Sequence, residues 1–290
     1  MPKMTHHEPN TLDCRPSIEG KVAFVTGGLG GIGRECVRAL VAHGANVAFT
    51  HTTGVEPTED AAAVVAERPD TMSAHPLDLR YLNSIESCMA MVLKHWGRID
   101  ILINSAAVGS GTVSSFGDDL AEQDSAMLTI NADGTLKVCQ TFLELMGQDI
   151  HTSPMKIINF SSVGGGIGTF PGFRLSDGMS KAAVAALSRQ LAAELTDSLV
   201  DVFAICPGAT NTKMFQASSL DHLSSREKQT FEQSMPKGRL IDPVEIANIV
   251  VFLASGYSTP MHGAVIDASM GLGVRPGLAT EYGNEHEHDE

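Results

Sequence analysis

The chain has 290 residues, of which 43% are hydrophobic and 19% charged, and this composition predicts one globular domain with a sizeable core. Its 20 basic and 34 acidic residues leave a net charge of −14, which argues against a nucleic-acid partner, because such partners require a basic surface. No run of about 18 apolar residues is present, and the polar N-terminus lacks the apolar centre of a secretory signal, so we expect neither a membrane span nor secretion.

The cysteines and histidines predict neither disulfides nor a metal site. The five cysteines form no Cys-x-x-Cys pair, and most lie in apolar patterns where a free thiol packs as a small hydrophobe. This usage is typical of a reducing, cytoplasmic protein. His286 and His288 stand among carboxylates near the end of the chain and could hold a metal, but a tail that buries nothing is expected to be solvated and disordered.

Strand and helix patterns alternate along the chain, which predicts an α/β fold: a Rossmann-type, doubly wound parallel sheet in a single domain. The domain is expected over 20–271, between a poorly ordered arm at 1–19 and an acidic tail at 272–290. Apolar runs predict strands at 22–26, 46–50, 72–77, 99–104, 156–161, 200–206 and 264–267. Helical periodicity predicts helices at 34–41, 59–67, 82–96, 120–147, 178–195 and 243–253.

A glycine-rich stretch joins the first strand to the first helix: Thr26-Gly27-Gly28-Leu29-Gly30-Gly31-Ile32-Gly33. Glycines there permit a tight turn, let backbone N–H groups approach a pyrophosphate and let the helix lie close to the sheet. The N-terminus of the helix adds a partial positive charge. Such stretches also occur as purely structural turns, but the flanking strand and helix favour dinucleotide binding.

In such sheets ligands bind beyond the carboxyl ends of the strands, so these ends indicate the candidate site. The second strand ends in Thr50 and His51, with no acidic residue to hold the ribose hydroxyls of NAD. Both side chains would tolerate a 2′-phosphate, which favours NADP over NAD. Asp78 follows the third strand, where it could reach the adenine edge or serve as a helix N-cap.

Several ordered motifs resemble those of the short-chain dehydrogenases/reductases, of the compact, one-domain kind related to ketoacyl reductases. The resemblance covers roughly 17–271 and rests on Thr26-Gly27-x-x-x-Gly31-Ile32-Gly33, Asn104-Ser105-Ala106-Ala107, Ile130-Asn131-Ala132-Asp133-Gly134, Ile158-Asn159-Phe160-Ser161-Ser162, Ser180-Lys181-Ala182-Ala183, Pro207-Gly208-x-x-x-Thr212, and Gly238-Arg239 with Phe252-Leu253-Ala254-Ser255. It implies an NAD(P)-dependent oxidoreductase acting on a small carbonyl or alcohol substrate. It further implies these cofactor-binding residues: Gly27, Gly28, Leu29, Gly30, Gly31, Ile32, Thr50, His51, Asp78, Leu79, Asn104, Ala106, Lys181, Pro207, Gly208, Thr210 and Thr212.

The resemblance also implies catalytic roles, with one departure. Ser162 would hydrogen-bond the substrate oxygen, Lys181 would bind the nicotinamide ribose, and Asn131 would hold a water that links Lys181 to solvent. The family uses a tyrosine four residues before that lysine as the acid or base, and this sequence has Asp177 there. Residues 177 and 181 would still share one helix face, because they lie one turn apart.

The exchange puts ordinary ketone reduction in doubt. A phenol titrates near 10 and an aspartate near 4, and a neighbouring Lys181 cation is expected to lower the aspartate pKa further. An ionised carboxylate has no proton to donate to a developing alkoxide, and losing a positioned acid typically costs about 10²- to 10⁴-fold in rate. Ser162, water, a histidine such as His151, or an Asp177 kept neutral by burial would then have to handle the proton.

Three interpretations remain open. The favoured one is a nicotinamide oxidoreductase with an atypical proton donor, because the other catalytic residues are present. Alternatively, Asp177 is the base of an isomerisation, dehydration or decarboxylation without hydride transfer, or the protein is a catalytically silent, nucleotide-binding member of the fold.

The remaining expectations concern the substrate and the assembly. The insert at 211–238 contains apolar residues and is predicted to form either a hydrophobic substrate lid or a simply packed surface helix. The family resemblance implies a homo-oligomer, a dimer or tetramer, formed through the helices at 120–147 and 178–195 and the last strand.

Overall fold

The structure, a computed structural model, describes residues 17–274. Most of the predicted arm and acidic tail, including the two tail histidines, lies outside these residues. Seven strands form one parallel sheet: β1 Val22–Thr26, β2 Asn46–His51, β3 Met72–Pro76, β4 Ile101–Asn104, β5 Met155–Phe160, β6 Val200–Pro207 and β7 Val265–Ala268. Their order is β3-β2-β1-β4-β5-β6-β7, which confirms the predicted single, doubly wound domain. The predicted strand ends are correct to within two residues.

The helices are α1 Gly31–Ala42, α2 Thr58–Glu67, α3 Leu82–Trp96, α4 Leu120–Leu128, α5 Thr135–Met146, α6 Leu175–Glu194, α7 Lys213–Phe215, α8 Ser225–Ser234 and α9 Pro243–Ala254. The helices cover both faces of the sheet. Successive side chains along each strand point to opposite faces, so each strand contributes to a core on either side. In β1, Val25 packs in the cluster that includes Leu40 and Val250, whereas Phe24 packs on the opposite face with Met89 and Phe142. Within 17–274, no helix is long and apolar enough to cross a membrane.

The predicted helix at 120–147 is interrupted. A π-helical turn, Thr129–Gly134, separates α4 from α5 and contains Asn131. Uniform 3.6-residue periodicity does not reveal such a widened turn, because its flanks keep the same apolar face. π-turns of this kind are frequent at functional sites.

Helix α6 begins at Leu175, three residues before the predicted start. The turn that contains Asp177 is therefore helical, and Gly178 lies inside the helix. Arg174 docks this end of α6 onto α4: its Nε donates to Asp124 Oδ1 at 2.7 Å and its Nη1 to Gln123 Oε1 at 3.3 Å.

The insert at 211–238 contains two helices with a small core of its own. Leu220 and Met235 are buried there together with Leu240, and Phe215 and Phe231 pack against them. The insert also lies on the loop after β4, because Ser218 Oγ accepts the N–H of Gly111 at 3.0 Å. Part of its apolar surface therefore packs within the insert, as expected for the alternative of a simply packed surface helix.

Candidate active site

The glycine-rich turn after β1 has close backbone contacts that side chains would block. Gly27 has φ +69°, and a Cβ there would lie 2.7 Å from the Cα of Ala106. A Cβ on Gly31 would lie 2.5 Å from Thr212 Cγ2, and one on Gly33 would collide with the Gly27 carbonyl oxygen. A Cβ on Gly28 would lie 2.5 Å from Phe49 Cβ. The turn therefore forms a side-chain-free cradle at the N-terminus of α1, while Leu29 and Ile32 pack against the core.

Threonines near the ends of β1 and β2 anchor the turn. Thr26 Oγ1 accepts the N–H groups of Ser105 and Ala106 at 3.1 Å each. Thr50 Oγ1 accepts the N–H of Gly27 at 3.1 Å, and the Thr50 carbonyl accepts that of Gly28 at 2.9 Å. These bonds hold the cradle against both adjacent strands.

Thr50 and His51, which the sequence places near a 2′-phosphate, are both buried. Thr50 is 2% exposed, and its Oγ1 accepts the N–H of Gly27. His51 is 6% exposed, and its Nδ1 is buried without a partner among the described residues. The acidic residue at this edge is Glu56, whose Oε2 accepts the N–H of Thr52 at 2.8 Å. Sequence reasoning missed it because it looked only at the strand end itself and not at the loop that folds back.

Asp78 follows β3, and its carboxylate is bonded to Arg80. Arg80 Nε donates to Asp78 Oδ1 at 3.0 Å and Nη2 to Oδ2 at 2.6 Å. Although burial acts in the opposite direction, these bonds hold the pKa of Asp78 below its ordinary value. The alternative interpretation as a helix N-cap is wrong, because α3 begins at Leu82 and Tyr81 occupies the cap position. Leu79 is buried against the π-helical turn at Gly134.

Asn104 ends β4 in a buried polar cluster. Its Nδ2 donates to Asn159 Oδ1 at 2.8 Å, and its Oδ1 is buried without a partner among the described residues. The beginning of the next loop is small, since Ala106 contacts the glycine turn. The side-chain amide therefore joins β4 to β5 and leaves the loop backbone at the crevice.

The loop after β6 forms the opposite wall of the crevice. Pro207 is the last strand residue, and a Cβ on Gly208 would lie 2.9 Å from the Cα of Ser269. Thr210 Oγ1 donates to the Gly208 carbonyl at 3.0 Å, and Thr212 Oγ1 accepts the N–H of Phe215 at 3.1 Å. A cavity of about 430 Å³ opens where this loop meets the turn, lined among others by Leu29, Gly31 and Thr212.

Ser162, Asp177 and Lys181 lie where β5 ends against α6. Lys181 Nζ donates to the Phe160 carbonyl at 3.4 Å, and Ser161 Oγ donates to the Lys181 carbonyl at 2.7 Å. Ser162 Oγ accepts the N–H of Gly164 at 3.3 Å, so its own proton remains free for an acceptor. The carboxyl of Asp177 accepts no hydrogen bond from any residue in 17–274.

Burial moves the pKa values of this pair toward one another. Burial raises the pKa of Asp177, and the attraction of the Lys181 and Arg174 cations only partly offsets it. Burial likewise lowers the pKa of Lys181, against the attraction of Asp177. The sequence left open whether Lys181 would lower the pKa of Asp177 or burial would raise it, and the pKa is raised because desolvation outweighs the neighbouring cation.

Asn131 contributes its side chain to the fold around the site. Its Oδ1 accepts the N–H of Val108 at 2.8 Å, while its Nδ2 donates to the Val108 carbonyl at 2.9 Å and to Ser180 Oγ at 3.2 Å. It therefore contacts the residue before Lys181. His151 is not a candidate proton donor. It precedes β5 whereas Ser162 follows it, so the two residues lie at opposite ends of that strand.

Comparison with known proteins places this geometry in a family. The sequence model described as enoyl-(acyl carrier protein) reductase matches residues 27–273. The oxidoreductase UcpA of Salmonella typhimurium is 32% identical over 262 residues, covering 88% of this chain and 96% of that protein. The 3-oxoacyl-[acyl-carrier-protein] reductase FabG of Aquifex aeolicus is 32% identical over 259 residues, covering 88% and 98%.

Solved structures of similar proteins share the fold of this chain. A variant of the actinorhodin polyketide ketoreductase with NADPH superposes with a TM-score of 0.76 at 26% identity, covering 88% of this chain and 97% of that one. The RhlG/NADP complex of Pseudomonas aeruginosa gives a TM-score of 0.76 at 27% identity, covering 89% and 98%. With its glycine cradle, its strand order and these relatives, the chain belongs to the short-chain dehydrogenase/reductase family of NAD(P)-dependent oxidoreductases and resembles its ketoacyl reductases.

Proposed function

We propose that the protein is an NAD(P)-dependent oxidoreductase that interconverts a carbonyl group and an alcohol on a small molecule, with the Asp177 carboxyl as its proton donor and acceptor. The observation that carries the proposal is the position of Asp177, one helical turn before Lys181 and next to the end of β5, with a pKa raised by burial. A carboxylic acid that keeps its proton above the ordinary aspartate range can donate it to a developing alkoxide.

The residues around the glycine turn fit a dinucleotide. The cradle of Gly27, Gly28 and Gly31 would receive the pyrophosphate at the N-terminus of α1, since only glycines fit these contacts. Other cofactor contacts would come from the remaining residues of the family motif: Leu29, Gly30, Ile32, Asp78, Leu79, Asn104, Ala106, Lys181, Pro207, Gly208, Thr210 and Thr212. When bound, the nicotinamide supplies or accepts the hydride.

The chain's own residues divide the proton chemistry. Ser162 is free to donate its hydroxyl proton to a substrate oxygen, because its acceptor side is bonded to Gly164. Asp177 delivers a proton to the same oxygen in reduction and takes it back in oxidation. Burial lowers the pKa of Lys181. When its amine is charged, it attracts the Asp177 carboxylate and so favours ionisation of that carboxyl. Asn131 positions α6 through Ser180.

The choice between NADP and NAD depends on the end of β2. The sequence favours NADP because no acidic residue stands at the strand end, and both NADP(H)-bound relatives above are consistent with it. Thr50 and His51, the two side chains that supported this preference, are 2% and 6% exposed at the end of β2.

A second candidate function rests on the same raised pKa. A carboxylate with a higher pKa is also a stronger base, so Asp177 could remove a proton next to a carbonyl in an isomerisation, dehydration or decarboxylation. Product would then form without a change in the absorbance of reduced cofactor.

Three substitutions at one position separate these functions. We expect Asp177→Asn to lower kcat/KM for carbonyl reduction by about 10²- to 10⁴-fold, because it removes the proton. Asp177→Tyr returns a proton donor and is expected to recover part of this loss, whereas Asp177→Phe, with the same ring but no hydroxyl, is the matched control. Melting temperatures confirm that each variant is folded.

The outcomes differ for each hypothesis. If Asp177→Tyr and Asp177→Phe are equally inactive and wild-type product forms without cofactor turnover, Asp177 acts as the base of a non-redox reaction. If a broad substrate panel shows dinucleotide binding but no product at all, the protein is a catalytically silent member of the fold.

We further propose that 211–238 closes over the substrate and that the protein forms a dimer or tetramer.

A further inference from the structure

An ion pair between α4 and α6 fixes a cation at the start of α6. Arg174, the N-cap residue of α6, donates from Nε to Asp124 Oδ1 at 2.7 Å. Ser176 Oγ donates to the same oxygen at 2.5 Å. The guanidinium also reaches Gln123 Oε1 at 3.3 Å and the Leu120 carbonyl at 3.4 Å. Because three acceptors on α4 hold the guanidinium, its charge has a fixed place relative to the first turn of α6.

The charge of Arg174 acts on the carboxyl of Asp177, together with that of Lys181. The two cations lie three residues before and four residues after Asp177, the spacings at which side chains on a helix are neighbours. Both oppose the rise that burial causes in the pKa of Asp177. Other titratable groups on elements packed against α6 are Asp133 in the π-helical turn, which pairs with Lys137 at 2.6 Å, Cys206 in β6 and Asp267 in β7. Of the two cations next to Asp177, Arg174 is the one with an acidic partner on another helix.

The partner, Asp124, is held in its ionised form. Hydrogen bonds from Ser176 and Arg174 keep the pKa of Asp124 below its ordinary value, so it carries a full negative charge at neutral pH. A carboxylate bonded to a guanidinium leaves a dipole in place of a single cation, and a dipole attracts a third charge less strongly than the cation alone. Asp124 therefore weakens the attraction of Arg174 for an ionised Asp177.

We propose that Asp124 is a positioning residue for the reaction, which pairs with Arg174 and so keeps the Asp177 carboxyl protonated and able to donate; this inference rests on the proposed function. The pair reconciles two requirements. Docking α6 onto α4 through a guanidinium fixes the turn that carries Asp177, but an unpaired cation there would favour the carboxylate, which has no proton to give. With Asp124 as the acceptor, the docking remains and most of its charge is cancelled.

The titration of Asp177 in the full chain tests this without cofactor or substrate. Carbon-13 NMR of protein labelled at the aspartate carboxyls follows the group, whose resonance is the one missing from Asp177→Asn. Asp124→Asn keeps the size of the side chain and its acceptor oxygen but removes the charge, so we expect the midpoint of Asp177 to fall by about half a pH unit or more. Arg174→Gln removes the cation and is expected to raise the midpoint by a similar amount. The double variant should return it close to the wild-type value, because both charges are then absent.

The pH profile of kcat/KM for carbonyl reduction is a second readout, which a purely structural role would not move. Since the protonated form of Asp177 is the donor, activity declines as pH rises through its pKa. This decline should move to lower pH in Asp124→Asn and to higher pH in Arg174→Gln. Asp118→Asn makes the same chemical change at an exposed aspartate just before α4, and as the matched control it should move neither readout. Melting temperatures and sedimentation velocity check that each variant keeps the fold and mass of the wild type.

The outcomes separate this inference from the function on which it rests. A midpoint that stays fixed or rises in Asp124→Asn, or that moves equally in Asp118→Asn, overturns the role of Asp124 and leaves the proposed oxidoreductase intact. Midpoints that move as expected while the pH profile does not follow them support the electrostatic effect of the pair but overturn Asp177 as the proton donor.

Discussion

In the proposed function, the proton chemistry depends on Asp177. In the family that the chain belongs to, a phenol at this position would hold its proton at neutral pH without help. A carboxyl group does so only when it is desolvated, and here burial outweighs the opposing attraction of Lys181 and Arg174. Burial therefore shifts the pKa of Asp177 in the direction of a phenol's pKa.

This environment has a cost that depends on pH. Because the pKa of Asp177 is raised in the folded state, folding stabilises the protonated form, and this contribution is present below the unfolded-state pKa of about 4 and is lost as pH rises through the folded-state pKa. Asp177→Asn mimics the neutral acid at every pH. We therefore expect the variant to melt at the same temperature as wild type near pH 4 and at a higher temperature at pH 8.

Thermal unfolding of both proteins across this pH range measures the effect. A tenfold difference in the acid dissociation constant between the folded and unfolded states corresponds to about 1.4 kcal/mol of stability. Asp197→Asn, which removes an exposed carboxylate away from the site, is the control and should change the melting temperature little. A destabilised Asp177→Asn at pH 8 would mean that the ionised carboxylate is the favoured form in the folded protein.

At the residue scale, the sequence predicted the elements that carry the candidate residues but not the environments of their side chains. Ser162 follows β5 and Lys181 lies on α6, because both elements are long and strongly patterned. The sequence left the direction of the Asp177 pKa shift open and did not reveal the bond between Glu56 and Thr52, because neither alternation nor spacing encodes burial or the path of a loop.

At the scale of elements, the strand–turn–helix unit around β1 and α1 depends on where its glycines allow backbone to touch backbone. A Cβ on Gly33 would collide with the Gly27 carbonyl, which belongs to the same turn and cannot swing away. A Cβ on Gly30 would meet the same oxygen only at 3.4 Å, an ordinary contact. The two positions therefore differ although both belong to one glycine-rich stretch.

We expect Gly33→Ala to destabilise the protein by about 1–3 kcal/mol through overpacking. Gly30→Ala, at the N-cap of α1, should cost less than about 1 kcal/mol. Urea unfolding followed by circular dichroism compares them directly. Equal losses in the two variants would show that glycine is required here for a reason other than this contact.

The sequence predicted the strands and main helices and their order along the chain, but not the irregular turn inside one of the helices. The π-helical turn at Thr129–Gly134 disrupts no apolar pattern, so it was read as uninterrupted helix. Its position is explained only by tertiary bonds, since Asn131 in that turn is bonded to Val108 and Ser180. The helix predicted over 178–195 begins earlier, at Leu175, where Arg174 docks onto α4.

At the scale of the whole molecule, the surface formed by the start of α4 and the start of α6 exposes large apolar side chains. Leu175 is 84% exposed and Met179, one turn further along α6, is 59% exposed, so the two share a face. Leu120, at the start of the neighbouring α4, is 73% exposed. Exposed apolar side chains on adjacent elements are typical of an interaction surface.

We expect this surface to form the contact in the proposed homo-oligomer. A lysine at its centre would have to be buried without a partner, so Leu175→Lys should convert the wild-type dimer or tetramer to a smaller species. Sedimentation velocity measures the mass directly. Leu82→Lys, at a 46% exposed leucine on α3, makes the same chemical change away from this surface and should leave the mass unaltered. A wild-type protein that sediments as a monomer, or a Leu175→Lys variant that keeps the wild-type mass, would show that α4 and α6 are covered by something other than a second copy.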